Sequence, residues 1–247
     1  SPLVFSEAEI NAINNIPGAQ RALEFRQLSR FNQARREWNS LNKPLNRRQK
    51  LAAAKWANQH QWFSRAIFTL PQQSYWDDVN LRFPLAYKTI VSKHSKRNKL
   101  EPSLAFAIAR RESSFMADAY SPAGALGLMQ MMPATARFIA KKKVKRNNLF
   151  NANTNVRYGT DYLKYLLKSV DNNEVIAAAS YNAGSSRVNK WIKSHKALSA
   201  DIWIETIPYK ETRDYVKSVL AYRQIYSNLL GNSENKFKPL VTMKIGR

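Results

Sequence analysis

Apolar residues return at three-and-four spacing in segment after segment of this chain, and no run of β-branched residues alternates as a half-buried strand would. Only 7 glycines and 10 prolines interrupt its 247 residues. Together these features predict a mostly helical protein. Leu28, Phe31, Arg35 and Trp38 share one such spacing, and Ala53, Trp56, Gln59 and Phe63 share another. Pro44-Leu45-Asn46 and Leu70-Pro71 punctuate the helices, because proline lacks a donor and turns its predecessor away from helix. The stretch to about Trp76 therefore reads as packed helical hairpins. Trp56, Trp62 and Phe63 read as core rather than as a ligand platform, since aromatic residues at helical spacing usually bury.

Between Tyr75 and Pro84 the pattern changes and a second unit starts. Glu101-Pro102-Ser103 marks a helix start, with proline in the first turn, and that helix is expected to run to about Phe115. Ser121 to Gly127 is too rich in turn formers to be regular. Met132-Pro133-Ala134-Thr135 opens the next helix, which frays into the basic run Lys141 to Arg146, read as a solvated face. Val156, Tyr162/Leu163, Leu166/Leu167 and Val170 make one amphipathic stripe. Asp171-Asn172-Asn173 caps a helix over 174–182, with Gly184 as its C-terminal glycine. A last long helix is expected over 211–230, with Val216, Val219/Leu220, Tyr226 and Leu229/Leu230 inward. The tail after Gly231 is polar and basic and is expected to be loosely held. Four of the seven glycines lie between 124 and 184, where the backbone must turn sharply or approach something closely.

Lysine and arginine total 40 against 17 acidic residues, a net charge of +23. Such a charge concentrates a protein on polyanions: nucleic acid, anionic lipid or a carboxylate-bearing cell-wall polymer. It does not choose among them. With no cysteine, disulfides and thiolate metal sites are excluded. His60, His94 and His195 are scattered without ligand spacing, and none is assigned to a metal. The longest apolar runs, such as Val175 to Tyr181, fall short of the roughly 20 residues a bilayer span needs, so a soluble chain is expected. Ser1-Pro2-Leu3 carries neither a methionine nor a basic-then-apolar leader, which reads as a processed end or a cut fragment.

One carboxylate stands out. On the helix starting at Pro102, Ala105, Ile108, Glu112 and Phe115 fall on one stripe, so Glu112 occupies the apolar side. Its neighbours at three and four residues are Ile108, Ala109, Phe115 and Met116, none of them cationic, and Arg111 points about 100° away around the helix. A carboxyl against an apolar wall is raised in pKa and can carry a proton near neutral pH, as a general acid for a glycosidic oxygen must. The pattern leaves two readings open: a functional acid, or a carboxylate paired with a distant arginine.

Three motifs then appear in order: Glu112-Ser113-Ser114-Phe115, the run from Ser121 through Gln130 to Pro133, and Ala179-Ser180-Tyr181-Asn182-Ala183-Gly184. With Ile204 to Tyr209 and Glu211 to Val216 behind them, they resemble the signature of the soluble lytic transglycosylases, over about residues 79–230 with a weaker likeness before. The resemblance implies a mostly α, lysozyme-like (goose-type-like) catalytic domain over 77–247, preceded over 1–76 by a small helical-hairpin linker domain. Relatives carry a long helical superhelix ahead of that linker, so 1–76 is expected to be its end. The family is bacterial and periplasmic, acts on peptidoglycan glycan strands and needs no cofactor or metal. A monomer is expected, with other cell-wall enzymes as candidate partners.

The resemblance also carries roles. Glu112 aligns with the single catalytic acid/base, and Ser121, Gln130 and Met132 match the loop lining the sugar site. Tyr181 and Asn182 match the third motif near the reacting sugar, and Glu205 an acidic residue of the cleft. Each has a structural alternative: Met132 as core, Ser121 as a turn cap, Asn182 as a helix end. The implied reaction cleaves between N-acetylmuramic acid and N-acetylglucosamine with help from the substrate's N-acetyl group, closing a 1,6-anhydro ring. Most glycosidases use two carboxylates, and Asp118 and Glu205 are the candidates for a second. A hydrolytic lysozyme-type muramidase is therefore the main alternative. A basic nucleic-acid-binding protein, lacking any recognisable signature, and an idle murein-binding scaffold rank below it.

Overall fold

A computed structural model describes residues 2–194 and 196–246; Ser1 and His195, both named above, lie outside the described residues. Chain contacts divide it into two compact units, 1–86 and 87–247. The first carries α1 (Glu7–Asn14), α2 (Pro17–Gln27), α3 (Phe31–Asn42), α4 (Arg47–Gln59), α5 (Phe63–Gln72) and the short α6 (Val79–Arg82). Both α1 and α4 start with a capping box, in which Ser6 and Glu9, or Asn46 and Gln49, satisfy each other's backbone donors. Helices pair as α2 with α3, α4 with α5, and α1 with α4. Their core holds Trp38, Trp56 and Trp62, with Trp38 and Trp62 edge-on at 5.4 Å, so Trp56 and Trp62 are core as expected while Phe63 is half-buried.

Two details of the expected pattern differ. Leu28 lies past the end of α2 and is 65% exposed, because Ser29 turns the backbone to a φ of 55° before α3 begins. Pro71 does not stop α5, which continues to Gln72. In a last turn proline removes one donor and leaves the earlier turns intact.

The second unit holds α7 (Lys88–Arg97), α8 (Pro102–Ser113), α9 (Pro133–Ala140), α10 (Ala152–Ser169), α11 (Glu174–Ala183), α12 (Ser185–Lys193), α13 (Ala200–Thr206) and α14 (Lys210–Leu229). Two-residue strands β1 (Leu198–Ser199) and β2 (Lys244–Ile245) pair antiparallel. The central helix is α8, whose residues Ser103 to Ala109 are all buried. Around it pack α14, its most extensive partner, and α7, while α11 lies against α14. Asn173 caps α11 by accepting from the Ile176 N–H, and Gly184 ends it at a φ of 85°. Of the stripe on α10, Val156, Leu163, Leu166 and Leu167 are buried, and Tyr162 and Val170 are half-buried.

The tail is not loose. Lys236, only 9% exposed, donates to Glu101 and Glu234, and Arg223 on α14 pairs with Glu101 and Glu174. Buried cations with several carboxylate partners hold the segment down, and Ile245 is buried behind it. Composition showed the basic residues of the tail but not the acids waiting for them.

Candidate active site

Glu112 occupies the last turn of α8, half-buried, with Ala105 and Ile108 of its stripe in the core. The helix ends one residue later, earlier than the apolar stripe suggested. Ser114 and Phe115 both adopt left-handed backbone, at φ values of 49° and 63°. Two successive non-glycine residues in that region cost on the order of 1–3 kcal/mol each and persist only when packing dictates them. Here Phe115 is driven into the core against Phe106 and Tyr226, and Ser113 Oγ donates to the Leu128 carbonyl at 2.7 Å. Glu112 is thus held at the rim of a sharp reversal rather than along a continuing helix.

Its partner comes from α14. The Tyr215 hydroxyl, from a residue 2% exposed, donates to Glu112 Oε1 at 2.7 Å. Burial pushes the Glu112 carboxyl from 4.5 up to about 7. The Tyr215 hydrogen bond and the Arg111 charge pull the other way, and Glu211 adds a like charge that raises it. The Arg111 guanidinium lies 5.4 Å over the Tyr215 ring, so the cation beside Glu112 in sequence faces the aromatic partner of the carboxyl. Burial, then the Glu112 charge, pushes the Tyr215 and Tyr181 phenols well above their usual range. Both hydroxyls therefore remain protonated donors while the carboxyl between its two charge states titrates near neutrality.

The loop from Tyr120 to Met132 is knotted by main-chain pairs between Tyr120 and Leu126 and between Leu126 and Met131, and its Leu128 and Met129 carbonyls accept from Ser113 and Tyr181. Asn155, fully buried on α10, organises it: Oδ1 accepts from the Met129 N–H, and Nδ2 donates to the Leu126 and Leu149 carbonyls, each at 2.7 Å. Only glycine fits at 127, where φ is +75° and a Cβ would lie 2.2 Å from the Leu149 oxygen. Gly159 likewise leaves room for Met129.

The residues singled out in the sequence have distinct places. Tyr181 joins the Glu112 group: its hydroxyl donates to the Met129 carbonyl at 2.8 Å and is close enough to feel the Glu112 charge. Gln130 donates to the Ala119 and Gly127 carbonyls, with its own backbone at a φ of 47°, and so braces the loop from within. Ser121 Oγ accepts from the Ala125 N–H and closes a turn. Met132 precedes α9 and is 38% exposed rather than core. Asn182 accepts from Thr212 Oγ1 at 2.7 Å, tying the third motif to α14. Glu205 is exposed and ion-paired with the exposed Lys217 at 2.5 Å.

Tyr215 and Thr212 are the residues sequence reasoning missed. Both lie in the stretch Glu211 to Val216 already noted, on the inner stripe that continues through Val219. A tyrosine on a buried stripe needs a partner for its hydroxyl, and that is the signal that could have found it. Among the described residues no group of three or more His, Asp or Glu side chains is arranged to hold a metal ion. His94 Nε2 pairs with Asn153 Oδ1 at 2.8 Å and His60 Nδ1 with the Trp56 carbonyl.

Comparisons with known proteins bear on this geometry. Residues 89–204 match the family described as the transglycosylase SLT domain, and residues 12–79 match the soluble lytic murein transglycosylase L domain. Residues 206–235 match the soluble lytic transglycosylase helical domain. The soluble lytic murein transglycosylase of Salmonella typhimurium is 35% identical over 234 residues, covering 92% of this chain and 36% of that protein. An inactive glutamate-to-glutamine mutant of the lytic transglycosylase Slt from Pseudomonas aeruginosa superposes with a TM-score of 0.85 and 37% identity, over 98% of this chain and 39% of that one. The 70 kDa soluble lytic transglycosylase of Escherichia coli gives 0.84 and 33%, over 94% and 38%. The chain thus spans a little over a third of the length of the relatives it matches.

Proposed function

Because the chain belongs to the soluble lytic transglycosylase family and has its mostly helical, lysozyme-like fold, we propose that it cuts peptidoglycan glycan strands with Glu112 as acid and then base. The observation that carries this reading is the Glu112 carboxyl itself, raised to about 7 by burial and hydrogen-bonded by Tyr215. Near neutral pH a substantial fraction is protonated and can donate to the glycosidic oxygen; once ionised it is basic enough to take a proton back.

The protonated form gives its proton to the oxygen between N-acetylmuramic acid and N-acetylglucosamine as that bond breaks. The acetamido oxygen of the muramic acid closes on the anomeric carbon and carries the positive charge as an oxazolinium ion. Ionised Glu112 then removes the proton of the C6 hydroxyl, whose oxygen attacks the anomeric carbon and expels the acetamido group. The product is a 1,6-anhydro ring, and no water enters. Tyr215, donating to Glu112 Oε1, stabilises the ionised carboxyl made in the first half and consumed in the second. Of the two candidates for a second carboxylate, Asp118 and Glu205, the latter is engaged by Lys217; Glu211, a third acid, acts on Glu112 as a like charge that favours its protonated state.

In this reading Ser121, Gln130, Met132, Tyr181, Asn182 and Glu205 border the sugar site. Gln130, Tyr181 and Asn182 set its shape through the backbone and α14 partners given above. The second unit acts as the catalytic domain and the first as a helical linker on which other cell-wall enzymes can dock. It works as a periplasmic monomer without cofactor. Glu112→Gln keeps the shape and removes the proton donor, so muropeptide release should fall by at least about a hundredfold. Mass spectrometry of wild-type products should show muropeptides lighter by one water than hydrolysed ones. Products ending only in reducing muramic acid would replace this reading with a hydrolytic muramidase.

A further inference from the structure

Four aromatic rings stand in a row that begins beside the Glu112 group and ends in solvent. Tyr181 packs 5.4 Å from Tyr162, and Tyr162 stacks on Tyr165 at 6.3 Å with 15° between the planes. Tyr165 meets Phe138 of α9 edge-on at 5.1 Å. Burial falls along the row. Tyr181 and Tyr162 pack against the core around Leu126, Met131 and Leu149, whereas Tyr165 is 48% and Phe138 57% exposed. Core packing accounts for the first two rings and not for the last two. Two large rings left exposed side by side mark an interaction surface.

The charge around the outer rings narrows the partner. On α10, Lys164 and Lys168 stand one residue before and three residues after Tyr165 and line, with Arg97 and Lys99, an open basin of about 480 Å³. The acids nearby are Asp171, on the basin wall, and Asp161, ion-paired to Arg97. On the other side α9 carries Arg137 and runs into the exposed Lys141, Lys142 and Lys143. The surface thus offers flat apolar faces inside a basic frame.

We propose that Phe138 and Tyr165 are a landing site for pyranose rings of a glycan strand outside the cleft, with Lys164 and Lys168 taking the carboxylates of its peptide side chains. This rests on the reading that such a strand is the substrate. A pyranose presents a face of C–H groups that stacks on an aromatic ring, while its hydroxyls stay in water. The peptide carboxylates supply the anions that the lysines need. Packed rings link the landing site through Tyr162 to Tyr181, whose phenol feels the Glu112 charge. A strand held there raises its local concentration at Glu112 without any new contact in the cleft.

The test uses the full chain in a Glu112→Gln background, so that ligands are bound and not cut. Affinity is measured by calorimetry for long glycan strands and for a single disaccharide-peptide. Phe138→Ala and Tyr165→Ala should each lower the ratio of strand to disaccharide-peptide affinity by roughly three- to tenfold. Phe138→Tyr and Tyr165→Phe, which keep a ring, should restore it. Lys164→Gln with Lys168→Gln should lower strand affinity most at low salt. An unchanged ratio in the double alanine variant overturns the proposal, as does an equal loss for both ligands, which would place the rings' effect in the cleft. Loss of binding to vesicles of anionic phospholipid, with strand binding kept, would assign the surface to a membrane instead. A parent protein that binds neither saccharide would bring down the proposed substrate itself.

Discussion

Tyr215→Phe removes the hydrogen bond that α14 makes to Glu112, the proposed catalytic carboxyl. The ring stays and only the hydroxyl leaves, so the packing around a 2% exposed side chain is kept. Burial raises Glu112 to about 7 while the Tyr215 donor works against that rise. A hydrogen bond to an ionised group contributes about 1.5–3 kcal/mol, and about 1.4 kcal/mol corresponds to one pH unit. Without the donor the charged form loses that support, so the carboxyl holds its proton to higher pH. The sign is therefore upward: the alkaline limb of the rate profile should move by about one to two pH units. The rate at the optimum should fall about tenfold to a hundredfold, since a more tightly held proton is given up less readily and the ionised intermediate state is less stable. The assay is release of soluble anhydro-muropeptides from purified sacculi, as kcat/KM against pH. An alkaline limb that stays in place, or moves down, refutes the assignment of Tyr215 as the group supporting the ionised form.

Three further outcomes follow from the same geometry. Glu112 is raised above its unfolded value, so its contribution to stability is full below about 4.5 and is lost as pH rises through about 7; Glu112→Gln should therefore be more stable than wild type by about 3 kcal/mol at pH 8 and by little at pH 4, read from denaturant unfolding at both. Asn155→Ala strands the Met129 N–H and the Leu126 and Leu149 carbonyls in the core, a cost of about 3 kcal/mol or more, and should lower the Tm by roughly 6–12 °C; a drop under about 2 °C would show that the loop does not depend on this side chain. Gly159→Ala would set a Cβ 2.8 Å from that of Met129, whose carbonyl receives the Tyr181 hydroxyl, so both a destabilisation of about 1–3 kcal/mol and a lower kcat are expected, and a fully active, equally stable variant would contradict the packing described.

Local chemistry explains which parts of the molecule were legible in the sequence. Pro102 at the start of α8, Asn173 capping α11 and Gly184 closing it are short-range signals, and each stands where its residue type predicts. Glu112 was visible because a carboxyl on an apolar stripe is out of place. Its partner was not, since periodicity says that Tyr215 faces inward but not what it faces. The same limit hid the tail, where Lys236 meets Glu101 across 135 residues. Helix ends were blurred for a different reason. The stripe ran on through Phe115, yet the chain reverses at Ser114 because packing of the Phe115 ring, rather than helical continuation, keeps that side chain buried. The ion pair between Glu205 and Lys217 likewise depends on a register along α14 that no local pattern encodes.

The pairing of Tyr215 with Glu112 also has a consequence for the order in which the enzyme is made. The two residues are 103 positions apart, and α14, which brings the hydroxyl, follows every other long helix among the described residues. A growing chain released as far as α11 already contains the acid and the glycine-rich loop, but not the donor that supports the ionised state or the Thr212 that fixes Asn182. Closing so long a loop is slow compared with forming the local helices. On the proposed function, support for the ionised carboxyl therefore arrives only with the docking of α14, and a chain cut before that helix would carry the acid without the donor that serves it.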